Sequence, residues 1–344
     1  MAGTSCKKDK TEGPANLSNV VIITNDITSP TTWYGDSIYV IEKWDFYVEN
    51  TLTIKPGTII KFHPSKGPDL TLGNSGTIIA VGSASKPIIF TSYKDDDHGG
   101  DTNGDGNATS PAPKDWGEIN TNGLNGSKFQ YCEFYYGGNS SYSATLTVEY
   151  GNASVQNCVF AHNSGDDASG WYGALNMYDA ESASVVKNCT FYDNIRPLSV
   201  STKMNIDDSN VFHNPSDNTE TNKYNGIFVN SYDVDWALSW KETEVAFVID
   251  DVDWWIDATG SLTLGNNVVI KFRPGSEMVL AQGAQFNNHN GSGVYFTSYK
   301  DDTKKGDTNG DGNATTPADG DWGGIYNDNT SSYMTWSNIL YDNH

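Results

Sequence analysis

Two stretches in the middle of the chain, "VQNCVFAHN" (Val155–Asn163) and "VKNCTFYDN" (Val186–Asn194), decide the fold. Weaker versions flank them: "FQYCEFYYG" (Phe129–Gly137) before and "IDDSNVFHN" (Ile206–Asn214) after. The cysteine position runs Cys132, Cys158, Cys189, Ser209. Short β-rich units repeating every ~20–30 residues signify a solenoid. In "VQNCVF" the apolar positions Val155, Cys158 and Phe160 are spaced three and then two. Strict alternation would put Cys158 on the face opposite Val155. A bend at Asn157 resets the phase, and Asn suits that bend because it tolerates left-handed backbone geometry. Like residues of successive units then stack, giving an Asn ladder, a Cys stack and a Phe stack. The three cysteines read as core filler, since no histidine stands at ligand spacing from them.

Composition points the same way. The 344 residues include 34 Gly, 19 Tyr and 10 Trp, and runs of good helix formers are scarce. Such a chain is expected to be all-β. A net charge of -22 disfavours nucleic acid and anionic lipid surfaces and favours cations. No stretch approaches the ~18 consecutive apolar residues of a membrane span.

The N-C-x-F-x-x-N units resemble the rungs of the right-handed parallel β-helix family. Its members include pectate lyases, polygalacturonases, phage tailspikes and bacterial surface proteins. "LTIKPGTIIKF" fits further rungs. The resemblance implies one right-handed β-helix over 20–344, preceded by a flexible tether at 1–19.

Within that solenoid the chain is duplicated. "TIIKFHP" (Thr58–Pro64) returns as "VVIKFRP" (Val268–Pro274), "IIFTSYKDD" (Ile88–Asp96) as "VYFTSYKDD" (Val294–Asp302), and "DWGEI" (Asp115–Ile119) as "DWGGI" (Asp321–Ile325). Residues 20–138 and 241–344 therefore read as two copies of one module, with the cysteine rungs at 139–240 between them.

Each copy carries "GDTNGDGNAT", at Gly100–Thr109 and Gly306–Thr315. Asp101, Asn103 and Asp105 fall at positions one, three and five, with Gly106 sixth and Asn107 seventh. Asp307, Asn309, Asp311, Gly312 and Asn313 repeat the pattern. Alternate oxygens around a glycine turn suit Ca2+, which takes six to eight oxygen ligands. The loop resembles the start of an EF-hand or a dockerin calcium loop. It departs at the twelfth position, where Ala112 and Ala318 replace the bidentate Glu. The missing ligands are expected from Asp95, Asp96, Asp301 and Asp302, and next from Asp115 and Asp321. Two structural Ca2+ sites are the expectation.

For function the sequence offers less. A glycoside hydrolase or polysaccharide lyase needs clustered carboxylates or a Lys/Arg base. Asp166, Asp167 and Lys187 are the catalytic candidates, with His162 and His213 on nearby rungs. The glycine-flanked His and Arg-x-Lys elements expected of polygalacturonases are absent. Trp236, Trp240, Trp254 and Trp255 lie among carboxylates and are candidate sugar platforms. Their alternative role is packing. "MAGTSCKKDK" resembles the mature start of a bacterial lipoprotein of Bacteroidetes type, with Cys6 as the lipidated residue, although Gly3 stands where a lipobox prefers Leu. The expectation is a non-catalytic calcium-binding β-helix of the cell surface or secreted, in glycan binding or adhesion. A carbohydrate-active enzyme and a purely structural stalk are the alternatives.

Overall fold

The computed structural model describes residues 19–63, 68–73, 75–140, 144–165, 170, 172–229, 233–249 and 253–344. Among them there is no α-helix. Three long parallel sheets dominate, of seven, ten and six strands. The chain visits them in rotation. Ile59–Phe62 lies in the seven-stranded sheet, Asp69–Leu72 in the ten-stranded, Thr77–Val81 in the six-stranded, and Ile88–Ser92 returns to the first. Each strand pairs with the one that follows it a circuit later, in parallel. Stacked parallel sheets visited in this order are consistent with a β-helix solenoid.

The repeats explain the pairing. Phe134, Phe160 and Phe191 are partners in register. Their rings stack with centroids 4.6 and 5.3 Å apart, and Phe90 and Phe212 extend the column at 4.9 and 5.3 Å. These distances follow the spacing of neighbouring strands, ~4.8 Å. Cys132, Cys158 and Cys189 are free, buried thiols facing the carbonyls of Ala80, Phe129 and Val155. Burial pushes the Cys158 and Cys189 thiols well up, so both stay protonated.

The bend expected at Asn157 is present, with φ of 55°, and Tyr131 and Asn188 repeat it at 49° and 53°. A second left-handed corner follows at Tyr136, His162 and Asp193, with φ of 64°, 57° and 47°. Just after it runs the buried Asn ladder. It uses the second Asn of the motif, not the first. Asn163 donates through Nδ2 to the Phe134 carbonyl and to Asn194 Oδ1, at 2.8 and 3.1 Å. Asn194 does the same to Phe160 and Asn222, both at 2.8 Å.

Duplicated strands do not occupy the same sheets. In the first copy Ile59–Phe62 and Ile88–Ser92 belong to the seven-stranded sheet. Their counterparts Val269–Phe272 and Tyr295–Ser298 end the ten-stranded sheet. Between the copies, the seven-stranded sheet stops at Thr190–Tyr192. An antiparallel pair, His213–Asn214 with Asp217–Thr221, follows it. The two acidic loops consequently lie on different sides of the stack.

Each ladder Asn donates to a buried backbone carbonyl of the preceding unit and to the next Asn of the ladder or its neighbour. Asn194→Ala is expected to destabilise the protein by roughly 2–4 kcal/mol. Asn188→Gly, at an exposed left-handed corner, should change stability by less than ~1 kcal/mol. Urea unfolding of both variants checks the contrast.

Candidate functional site

The acidic loops leave the sheets directly after Ile88–Ser92 and Tyr295–Ser298. In the first, Gly104 and Gly106 have φ of 72° and 75°, the left-handed geometry that glycine adopts without steric cost. The chain thereby curls around the Asp101 carboxylate, which accepts the amides of Asp105 and Gly106 at 3.1 and 2.9 Å. Asn103 Oδ1 faces the Asp105 amide, and its Nδ2 donates to Asp105 Oδ2 at 3.0 Å. The second loop repeats these contacts through Asp307, Asn309 and Asp311.

Three carboxylates converge in each loop: Asp96, Asp101 and Asp105, and again Asp302, Asp307 and Asp311. One oxygen from each lies within 4.8 Å of the others. Asp96 Oδ1 and Asp302 Oδ1 are buried and accept no hydrogen bond. Burial, then the charges of the neighbouring loop aspartates, raises the pKa of Asp96 and of Asp302. A buried acceptor without a donor, beside two further carboxylates, costs free energy. A divalent cation removes that cost, and the all-oxygen donor set suits a hard ion. Asp96, Asp101, Asn103 and Asp105 could hold one such ion, with their counterparts holding a second. Asn107 and Asn313 lie exposed at the loop tips.

The other expected ligands are engaged elsewhere. Asp95 is buried and turned toward the sheet, where it accepts Thr91 Oγ1 at 2.5 Å and contacts His98 Nδ1 at 2.7 Å. Asp301 accepts Thr297 and Thr303 hydroxyls at 2.7 and 2.6 Å. Asp115 takes Ser92 Oγ, Lys94 Nζ and the Ala112 amide, and Asp321 takes Ser298, Lys300 and Ala318 alike. These four aspartates pin the two ends of each loop and stand outside the two converging triads. Trp116 and Trp322 next to them are buried, stacked on Phe62 and Phe272 at 4.0 and 4.1 Å.

Sequence reasoning missed one pair of residues. Lys61 and Lys271, in the duplicated "IKF" strands, are fully buried beneath the loops. Lys61 Nζ donates to the carbonyls of Asp95 and Gly100 and to Thr102 Oγ1, at 2.7, 2.9 and 2.7 Å. Lys271 meets the Gly306 carbonyl and Thr308 Oγ1, both at 2.7 Å. Burial pushes each ammonium down to about 8 against the pull of the aspartates. The signal was a Lys at an alternating position of a strand, repeated in both copies. Read alone, it looks like an outward, solvated residue.

The aromatic candidates divide. Trp240 and Trp254 are fully buried and stack on each other, and Trp240 also stacks on Phe247, so neither presents a ring face to solvent. Trp255 is half-buried, and Trp236 is 52% exposed. Beside Asp235, the neighbour of Trp236, a hollow of about 360 Å³ is lined by Tyr150, Asp179, Thr202, Lys203, Asp233, Asp235 and Asp257. Tyr150 is 62% exposed. Of the catalytic candidates, Lys187 forms an exposed ion pair with Asp207 at 2.9 Å. Asp166, Asp167 and Cys6 lie outside the described residues. Comparison with protein-family models, curated proteins and solved structures finds no match to this chain.

Glu118 and Glu242 are buried carboxyls outside the loop triads, and burial raises them to about 7 and about 8. A carboxyl whose pKa is raised by folding lends its stability in full below the unfolded value of 4.5 and loses it as pH rises through the folded value. Glu242 Oε1 accepts the amides of Thr243 and Glu244, while Oε2 is a buried acceptor with no hydrogen bond. Glu242→Gln keeps the first set and removes the charge. The variant is expected to gain on wild type between pH 4.5 and 8, by roughly 2–4 kcal/mol at the upper end. Urea unfolding across that range measures it.

Proposed function

We propose that this chain is a calcium-held right-handed β-helix that serves as a surface or secreted binding module for glycan and carries no catalysis of its own. The observation that carries the cation half is the repetition of one orphaned carboxylate oxygen, on Asp96 and on Asp302, at the same point of two loops. Each loop is already fastened at its ends and from beneath. The cation neutralises what those fasteners leave, a triad of converging carboxylates, and its role is to order the loop.

The glycan half is supported by the hollow walled by Tyr150 and by Asp235, the chain neighbour of the exposed Trp236. Flat pyranose faces stack on exposed rings, and Tyr150 and Trp236 supply such rings. Asp233, Asp235 and Asp257 are acceptors for sugar hydroxyls, and Lys203 is a donor. A preponderance of carboxylates selects neutral sugars over uronates. Lipidation at Cys6 would place the module on the outer surface of a cell envelope and is part of the same proposal.

Excess EDTA is expected to lower the melting temperature by roughly 5 °C or more, given ~2.7 kcal/mol per site at a hundredfold excess of ion over Kd. The double variant Asp105→Ala, Asp311→Ala should melt low and ignore EDTA. A wild-type curve unchanged by EDTA defeats the calcium proposal. On a glycan array with Ca2+, neutral polysaccharide should bind without release of reducing ends or unsaturated products. Trp236→Ala and Tyr150→Ala should each weaken binding roughly tenfold, ~1.4 kcal/mol. Turnover, or binding indifferent to both substitutions, overturns the glycan proposal.

A further inference from the structure

At the second left-handed corner, equivalent residues of successive units project outward in a column. Tyr136, His162 and Asp193 occupy it in that order. The Tyr136 and His162 rings stack at 5.5 Å and 13°, and Tyr192 meets His162 edge-on at 5.6 Å. The imidazole is thereby held in one plane. His162 Nδ1 lies 2.6 Å from Asp193 Oδ2. The antiparallel strand Asp217–Thr221 then lays Glu220 against the same corner. One donor atom from each of His162, Asp193 and Glu220 lies within 4.8 Å of the others. Glu220 is oriented by Asn214 Nδ2, which donates to Oε2 at 2.5 Å.

We propose that His162, Asp193 and Glu220 form a third metal site, which takes a borderline divalent ion of the zinc type and not calcium. The donor set decides the class. An imidazole nitrogen with two carboxylates suits zinc, whereas calcium takes oxygen alone. The contact between His162 Nδ1 and Asp193 Oδ2 opens when an ion enters between them. Asp193, whose side chain is 58% exposed, has room to turn as an ion is taken up.

Three protein ligands leave a fourth position open. Next to the site is a hollow of about 530 Å³, whose walls include Asp193, Thr219, Glu220 and Lys223. A ligand entering it could reach the open position with an anionic or hydroxyl oxygen. The site is made from the cysteine rungs and the antiparallel pair, so it stands independently of the calcium loops and of the glycan hollow.

The test is zinc titration of the full chain by calorimetry, with millimolar Ca2+ present to keep zinc off the all-oxygen loops. Cobalt(II) spectroscopy runs beside it. Wild type should bind one zinc at this site and give the intense visible bands of low-coordinate cobalt. His162→Gln and Glu220→Gln should each lose that equivalent, or weaken it at least tenfold, and lose the bands. Asp105→Asn with Asp311→Asn should keep both. Unchanged melting without metal shows that the variants are folded, and whichever of the two folds suffices for the test. Absence of zinc binding in wild type, or zinc and cobalt signals that survive His162→Gln or Glu220→Gln, overturns the proposal.

Discussion

Parallel pairing in register is the constraint on which the rest of this protein depends. Once Phe134 stands opposite Phe160, and Phe160 opposite Phe191, every other position of those units is fixed. The same step that stacks rings inside stacks amides beside them and left-handed corners outside. An insertion of one residue within a strand would turn each inward side chain outward. Irregularity is therefore confined to the connections, and that is where both acidic loops and the antiparallel pair occur. Chemistry in such a molecule collects at corners and inserts, because the sheets cannot accommodate it without losing register.

Charge is handled in two ways. Most carboxylates lie partly or fully in solvent, where a net charge of -22 is screened. Beneath the loops, by contrast, Lys61 and Lys271 are fully buried, and desolvation works against each ammonium. Backbone carbonyls and a threonine hydroxyl offset that cost, so each lysine ties a loop to the sheet below. Asp115 and Asp321 close the loops behind with a Lys–Asp pair and a captured amide. The converging triads are what these ties do not neutralise. Each triad residue is partly exposed, so an ion can reach the carboxylates from solvent.

How much was legible depended on the range of the interaction. Asn157 announced its bend, because a left-handed corner is a local demand that few residues meet. Asp101 and Asp105 announced their loop for the same reason. Asp95 and Asp96 were indistinguishable in the sequence, and the fold separates them: one turns in to Thr91 and His98, the other out to the triad. Trp240 and Trp236 likewise share a segment and an acidic context, yet one is core and the other surface. Local pattern cannot say which end of a strand is capped by neighbouring chain.

By itself the sequence determined that the chain is all-β, that its middle units stack, that two loops repeat and that cysteines are core. Each of these follows from residue type and spacing along the chain. Only the tertiary structure decided which strands share a sheet, which sent the two duplicated modules to different sides of the stack. It also decided that Lys61 is buried and that Asp115 is a clamp. And it placed Glu220 against His162 and Asp193, residues separated in sequence by whole circuits. The physical reason is the same throughout: stacked parallel sheets bring together residues about one circuit apart, and the circuit lengths are set by inserts that no local pattern measures.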